Sequence, residues 1–204
     1  ETWRRRWFIN YVRFMYGGGF RPHEARKIRF GDVELFNKRE DGKPSALIQI
    51  DTDTKTGKRE MVMNGNTFKN LKYHLNKGIK IRNKQILEKN EKLLKGQRVH
   101  DFHNRSYKEP LPEVAPISKD DFVLMNPFLN GKRRVYHESY IRDWMNMILK
   151  ECDFKRRYTI YSLRSTHISY ALLKGQTVNE VSKNVGTSME MIQKTYDGLS
   201  ARYS

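Results

Sequence analysis

The spacing of apolar residues predicts a mostly helical chain. Between Trp3 and Tyr16 they recur every three or four positions, as on one face of an amphipathic helix. A shorter helix is predicted at 22–28, after the stop formed by Gly17-Gly18-Gly19. Helical spacing also covers 67–94, where Gly78 is expected to divide the segment into two helices. Further helices are predicted at 138–150, 160–173 and 177–184, and Ser188 is placed to begin one more that runs toward Tyr196.

Alternating apolar and polar residues predict a small antiparallel sheet. Two such runs, 46–52 and 59–63, flank the turn-like Lys55-Thr56-Gly57 and form a β-hairpin pattern. A short strand at 122–125 precedes a turn at Asn130-Gly131. The sequence therefore indicates an α+β, mainly helical fold whose small antiparallel sheet lies near residues 33–63.

Residues 97–119 interrupt this periodicity. The segment is polar, contains three prolines and shows no regular spacing. Too little chain lies on either side for two balanced cores, so we expect a long surface loop within one domain, 1–204.

The charge balance indicates a polyanionic partner. The chain has 40 Lys and Arg against 23 Asp and Glu, a formal net charge of +17. The basic residues extend from Arg4 to Arg202, so the excess belongs to a folded surface rather than to one tail. Such an excess is typical of nucleic-acid-binding proteins, although a purely solubilising role for the charge stays open.

Several classes of protein fit the sequence poorly. It contains no run of 18 apolar residues and no signal-peptide pattern, so we expect no membrane partner and a cytoplasmic location. The single cysteine, Cys152, excludes an internal disulfide and a cysteine metal cluster. Carboxylates and histidines do not occur at ligand spacing, which disfavours a two-metal nuclease and predicts no metal and no other cofactor. We interpret His23 and His167 as packing or phosphate contacts rather than as metal ligands.

Two arginines and a tyrosine suggest chemistry on a phosphodiester. Arg21 follows a glycine helix stop, and Arg164 lies on a helix that has a buried face. Two guanidinium groups can grip the non-bridging oxygens of a phosphate and offset the charge that grows in its transition state without a metal. Tyr196, nine positions after Thr187, is then a candidate nucleophile.

These residues stand in an order that resembles the tyrosine recombinases, the phage-integrase family. The segment Gly18-Gly-Phe-Arg-Pro-His-Glu-Ala25 resembles the family's first arginine box, and Thr54-Lys-Thr-Gly57 together with Arg59 resembles its β-hairpin lysine. Tyr161-Ser-Leu-Arg164 resembles the second arginine box. Gly186-Thr187 stands at the position that follows the family's Leu-Gly pair, and Tyr196 stands at the position of the nucleophile. The resemblance covers essentially the whole chain as a catalytic domain, without the N-terminal arm and core-binding domains that usually precede it.

The resemblance implies an enzyme that cuts and rejoins double-stranded DNA. It implies site-specific strand cleavage through a covalent 3′-phosphotyrosine, and hence DNA integration or recombination in a phage or mobile element. By the same resemblance the full-length protein acts as a tetramer on DNA, associated with the nucleoid of its host cell. The catalytic residues that it implies are Arg21, Lys55, Tyr161, Arg164, Thr187 and Tyr196.

Two of these positions depart from the family's pattern, and one has a rival. The family usually has a histidine where this chain has Tyr161, and a histidine or tryptophan where it has Thr187. Both replacements keep a hydroxyl, but neither acts as a base near pH 7, so His167, one turn beyond Arg164, is an alternative auxiliary residue. Lys55 is implied to protonate the departing 5′-oxygen, with Lys58 as its rival.

Phosphate contacts around the cleft are expected to fix the position of the DNA. The candidates for these contacts are Arg26, Lys27, Arg29, Lys132, Arg133 and Arg134. Two other functions remain open: a type IB topoisomerase-like enzyme that relaxes DNA, and a non-catalytic DNA-binding module.

Overall fold

The computed structural model describes residues 3–36, 42–51, 58–100, 106–128 and 134–195. The first helix, α1 (Trp3–Gly18), buries one face, which includes Trp7, Tyr11 and Phe14. It ends where Gly19 takes a positive φ of 57°, a conformation that glycine adopts without steric cost. The predicted amphipathic helix and its glycine stop are thereby confirmed.

The second helix, α2 (Pro22–Ala25), is shorter than predicted. The prediction of a helix to residue 28 was wrong because the backbone from Ile28 onward pairs elsewhere. The carbonyl of Ile28 accepts a hydrogen bond from the N–H of Val123, and the N–H of Phe30 donates to the carbonyl of Asp121. A 3₁₀ turn at Phe30–Asp32 then leads into the sheet.

The sheet has three antiparallel strands in the order β1 (Val33–Phe36), β2 (Ser45–Asp51) and β3 (Lys58–Asn64). The predicted hairpin is confirmed, with Ile48 opposite Met61 and Asp51 opposite Lys58. One face of β2 and β3 is buried, because alternate side chains of a strand point to the same side.

The third helix, α3 (Gly65–Leu94), is one continuous helix of 30 residues. The predicted break at Gly78 was wrong, and the reason lies in packing. A Cβ at Gly78 would lie 2.8 Å from Cε2 of Trp3 and 3.1 Å from Cγ of Pro127. The glycine therefore makes room for an indole ring and a proline ring rather than ending the helix.

The segment after α3 is irregular where it is described, and it lies along that helix. The amide side chain of Asn83 pairs with both backbone groups of Val114, and Asn90 pairs in the same way with Leu111. Next come the short strands β4 (Met125–Asn126) and β5 (Arg134–Val135).

Of the strand predicted at 122–125, only Met125 belongs to β4, whereas Phe122 forms an isolated bridge with Arg29. The predicted turn at Asn130-Gly131 lies outside the described residues.

The C-terminal helices agree with prediction to within one residue at each end. They are α4 (Glu138–Glu151), α5 (Ile160–Leu173) and α6 (Val178–Val185). The side chains of Thr177 and Glu180 form the predicted capping box of α6. Residues 189–195 are again helical, and the N–H of Met191 donates to Oγ of Ser188.

Two apolar clusters hold these elements. The larger joins α1, the sheet, α3 and residues 123–125. The smaller joins α5, α6 and the helical residues 189–195 through Ile168, Val181, Val185 and Ile192. The second cluster fixes the end of α6 against α5.

Two kinds of feature are absent from the described residues. None of the helices there is both long enough and apolar enough to cross a membrane. Within the same ranges, no group of three or more His, Cys, Asp or Glu side chains is arranged to hold a metal ion.

Candidate active site

Three arginines from distant parts of the chain meet around one carboxylate. Arg21 begins α2, Arg59 lies on β3 and Arg164 lies on α5, with Glu24 of α2 among them. We call these four residues the arginine cluster. The C-terminal end of α6, at Gly186, closes it on one side.

Arg21 is held by its own helix and by α6. Its Nη1 donates to Oε1 of Glu24 at 2.8 Å, and its backbone N–H donates to Oε2 of the same side chain at 3.1 Å. Its Nη2 donates to the carbonyl of Gly186 at 2.7 Å. The side chain remains 25% exposed, so part of the guanidinium faces solvent.

Arg59 grips Glu24 with both ends of its fork. Nη1 donates to Oε1 at 2.8 Å and Nη2 donates to Oε2 at 3.0 Å. This bidentate geometry is the strong form of an arginine–carboxylate pair. The Arg59 side chain is 12% exposed, and its Nε is buried without a hydrogen-bond partner among the described residues.

Arg164 is almost fully buried, at 2% exposure. Its Nη1 donates to the carbonyl of Gly19 at 2.6 Å, two residues before Arg21. Its Nη2 is also buried and has no hydrogen-bond partner in the described part of the chain. Burial and then the charge of Arg21 lower the pKa of Arg164, so the site opposes its positive charge.

The cluster has a surplus of positive charge. It contains three guanidinium groups and one carboxylate. Burial raises the pKa of Glu24, but the hydrogen bonds and charge of Arg59, followed by the hydrogen bonds of Arg21, outweigh it and lower the pKa to about 2. Glu24 is therefore ionised at neutral pH. An anion with several oxygens would neutralise the remaining charge and accept from Arg21 and from the unpaired Nη2 of Arg164.

Gly186 fits the cluster because it has no side chain. It ends α6 with a φ of 65°, and a Cβ there would lie 2.7 Å from Nη1 of Arg59. The turn aims its carbonyl at Arg21 and places half-buried Thr187 next in the chain. Thr187 therefore directly follows the residue whose carbonyl contacts the arginine cluster.

Tyr161 and His167 flank Arg164 on α5. Tyr161 is 52% exposed and lines a cleft with Pro22 and Tyr158. His167 packs on Gly19, where an added Cβ would lie 2.5 Å from its Cδ2. Burial lowers the pKa of His167, and the charge of Arg164 lowers it further. A hydrogen bond to the backbone of Tyr16 raises this pKa, but the net shift is downward. His167 is therefore neutral at pH 7.

Two predicted catalytic residues, Lys55 and Tyr196, lie outside the described residues. The rival Lys58 begins β3, where its Nζ lies 3.7 Å from Oδ1 of Asp51 and both side chains are largely exposed. The helical residues 189–195 end directly before Tyr196.

The predicted DNA contacts differ in how they are held. Arg26 forms an ion pair with Glu138 at 3.0 Å, and its Nε is buried and unpaired in the part of the chain that is described. Arg29 stacks on the ring of Phe122 and donates to the carbonyl of Asp120, whereas Lys27 is exposed. Of the remaining candidates, Lys132 and Arg133 lie outside the described residues, as does the side chain of Arg134, whose backbone belongs to β5.

Sequence reasoning missed the roles of Glu24 and Arg59 in joining the site. A signal for Arg59 was present, because the alternation of β3 places it on the same face as buried Met61 and Met63. An arginine on the buried face of a strand requires a partner, and Glu24 supplies it.

Comparison with known proteins gives structural matches only. No protein-family model matches the chain, and no curated protein sequence matches it. The site-specific recombinase XerH, bound to its difH substrate in a pre-cleavage complex, matches with a TM-score of 0.58 and 15% identity, over 100% of this chain and 47% of that one. XerH in a post-cleavage complex with palindromic difH matches with a TM-score of 0.63 and 14% identity, over 100% and 45%.

A third match is the XerA recombinase, with a TM-score of 0.50 and 15% identity, over 95% of this chain and 57% of that one. The chain thus spans about half the length of the solved structures that it matches. At this level of identity the likeness concerns the fold. The chain has a tyrosine-recombinase-like fold, α+β and mainly helical, with a small antiparallel sheet.

Proposed function

We propose that this chain is the catalytic domain of a tyrosine recombinase that cuts and rejoins double-stranded DNA. The observation that carries the proposal is the meeting of Arg21 and Arg164 in a positively charged site with unpaired buried donors. The recombinase-like fold and the net charge of +17 support the same conclusion.

The proposed reaction is a transfer of the phosphoryl group from DNA to the protein and back. The phenolic oxygen of Tyr196 attacks the phosphorus, and the bond from phosphorus to the 5′-oxygen breaks. The phenol releases its proton to water as it attacks, and Lys55 gives a proton to the departing 5′-oxygen. The product is a 3′-phosphotyrosine and a free 5′-hydroxyl, and attack by another 5′-hydroxyl reverses the step without an external energy source.

The arginine cluster has the charge that this reaction requires. Negative charge on the non-bridging oxygens grows as phosphorus becomes pentacoordinate, and fixed guanidinium groups stabilise that state more than the ground state. In the proposal Arg21 and Arg164 hold these oxygens, and the hydroxyls of Tyr161 and Thr187 add hydrogen bonds. In the same proposal His167 is a packing residue beside the site, since its ring lies against Gly19.

The proposed partners follow from the same reaction. Rejoining to a second duplex requires two DNA sites in one assembly, so we propose a tetramer on DNA for the full-length protein. Integration or excision of phage or mobile-element DNA in the host cytoplasm is the biological role that fits this chemistry.

A suicide substrate tests the proposal. A duplex nicked close to the cleavage site loses a short 5′-hydroxyl fragment after attack, so the covalent complex accumulates. We expect an adduct that resists denaturing electrophoresis and is absent with Tyr196→Phe. DNA binding without an adduct under varied conditions would assign a non-catalytic module. Relaxation of supercoiled plasmid without exchange between paired sites would assign a topoisomerase.

A further inference from the structure

Arg59 has no part in the reaction described above, although it makes the strongest contact in the cluster. Both of its terminal nitrogens are used on Glu24, at 2.8 and 3.0 Å. It lies on β3, four residues after Lys55 in the sequence, and it is the only contribution of the described part of the sheet to the cluster. Its guanidinium also lies against Gly186, which leaves no space for a Cβ.

The charges explain what this contact does. Without Arg59, the carboxylate of Glu24 would have Arg21 as its nearest cation, and the two charges would largely cancel. With Arg59 present, the negative charge of Glu24 is shared, and Arg21 keeps most of its positive charge for an anion. Because Glu24 is 2% exposed, water screens this interaction little.

The contact between Arg59 and Glu24 also fixes the orientation of the Arg21 side chain. Glu24 accepts from the side chain and the backbone N–H of Arg21, so the position of the carboxylate sets the direction of that guanidinium. Arg59 holds both oxygens of the carboxylate at once, which a single point charge does not do. It thereby connects β3 to the start of α2 and, through Gly186, to the end of α6.

We propose that Arg59 is a positioning residue that acts through Glu24, so that the positive charge of Arg21 is left largely uncompensated and its guanidinium is correctly directed for the DNA phosphate. This inference rests on the proposed function. Arg59 itself touches no DNA in this account. Its effect must therefore depend on whether Glu24 is present and ionised.

Four variants test this dependence in the suicide-substrate assay. At pH 7 we expect Arg59→Gln to form adduct about 100-fold more slowly than the wild type, as misplaced catalytic groups commonly do. Arg59→Lys keeps the charge but not the bidentate grip, and we expect about a tenfold loss. Adding Glu24→Gln to Arg59→Gln should restore about tenfold, since it removes the carboxylate that neutralises Arg21. Exposed Arg98→Gln is the control and should react at the wild-type rate.

The pH profile separates this role from a structural one. The charged groups that act on Glu24 are Arg21 of its own helix, Arg59 of β3 and Arg164 of α5. In Arg59→Gln the strongest of these is gone, so we expect the pKa of Glu24 to be higher than in the wild type. Protonation of Glu24 should therefore relieve the defect, so the ratio of Arg59→Gln to wild-type rates rises as the pH falls from 7 toward 5. In the double variant this ratio should stay flat.

Three results would overturn the inference. They are a double variant no faster than Arg59→Gln, a rate ratio independent of pH, and an Arg59→Lys protein as fast as the wild type. The first would indicate direct contact of Arg59 with DNA, and the second a general effect on folding. Should Arg59→Gln fail to fold, Arg59→Lys with and without Glu24→Gln provides the same comparison.

Failure of the proposed function looks different. In that case the wild type forms no adduct, and the inference is judged by the affinity of the same variants for inorganic phosphate, measured by calorimetry. Weaker binding by Arg59→Gln and recovery in the double variant would support it. Equal affinity of Arg59→Gln and the wild type would contradict it.

Discussion

At the scale of single residues, the site is an arrangement of four charges in little water. Glu24 and Arg164 are each 2% exposed, and a hydrogen bond connects Arg164 to the glycine that precedes Phe20 and Arg21. Two buried donors, on Arg59 and Arg164, lack partners in the described ranges. Buried unpaired donors are costly, so we expect Nη2 of Arg164 to gain a partner when an anion binds, whereas Arg59 acts through Glu24.

Replacing Arg164 by lysine should slow cleavage much more than it weakens DNA binding. A lysine keeps the charge but has a single nitrogen, so one donor to the phosphate is lost in the transition state. Loss of one such donor typically costs about 10²- to 10³-fold in rate. The measurements are single-turnover adduct formation and DNA affinity, with Arg98→Lys as the matched control. Equal losses in affinity and rate would contradict the assigned role.

The ion pairs of Glu24 should make the protein less stable in acid. Its pKa is lowered from 4.5 to about 2 in the folded state, so its stabilising effect is present above pH 4.5 and is lost as the pH falls toward 2. At 1.36 kcal/mol per pKa unit this amounts to about 3 kcal/mol. The free energy of unfolding, measured by urea titration at each pH, should fall by less over this range in Glu24→Gln. Identical slopes for the two proteins would contradict the ion-pair assignment.

Sequence alone proposed Arg21 and Arg164 as site residues but not the contacts that join them in the structure. Each of these arginines lies in a short motif, and such a motif can be recognised from consecutive residues of the sequence. The contact of Arg59 with Glu24 joins residues 35 apart, and that of Arg21 with Gly186 joins residues 165 apart. Such pairings depend on how the helices and the sheet pack, and periodicity does not encode them.

At the scale of elements, helices with clear periodicity and capping signals were predictable. The bounds of α5 were predicted without error, and the capping box of α6 was recognised from Thr177 and Glu180. The errors occurred where tertiary contacts override local signals, as at the early end of α2 and at Gly78. Gly78 is an example, because its lack of a side chain leaves space for the rings of Trp3 and Pro127 and does not end the helix.

Changing Gly78 to alanine should destabilise the protein, although alanine is the better helix former. In an exposed helix interior this change would stabilise by roughly 0.5–1 kcal/mol. Here the new Cβ would overlap the indole of Trp3 and approach Pro127, so we expect a net loss of about 1–3 kcal/mol, as is usual for overpacking. Asn76→Ala, at an exposed position of the same helix, is the control. A rise in melting temperature for Gly78→Ala would contradict the proposed packing.

At the scale of the whole molecule, charge and fold lead to one expectation about DNA. The chain has a net charge of +17, and its basic residues are distributed along its length. Phosphate contacts of this kind release counterions, so the affinity should depend strongly on salt. The architecture as a mainly helical α+β fold was predictable from periodicity, whereas the placement of the C-terminal helices around the cluster required the structure.

Affinity for duplex DNA should fall by about 10³-fold or more between 50 and 200 mM salt, as for proteins that contact six or more phosphates. Fluorescence anisotropy of a labelled duplex measures this, with Tyr196→Phe as a variant whose affinity and salt slope should equal those of the wild type. A weak dependence on salt would mean that few of the basic residues contact DNA.

The most direct measurement is the identity of the residue that becomes attached to DNA. After reaction with the suicide substrate, protease digestion and mass spectrometry locate the nucleotide on a peptide. We expect a 3′-phosphate linkage on the peptide that contains Tyr196. A linkage to another tyrosine, such as exposed Tyr161 or Tyr158 beside the cluster, or the absence of any linkage, would contradict it.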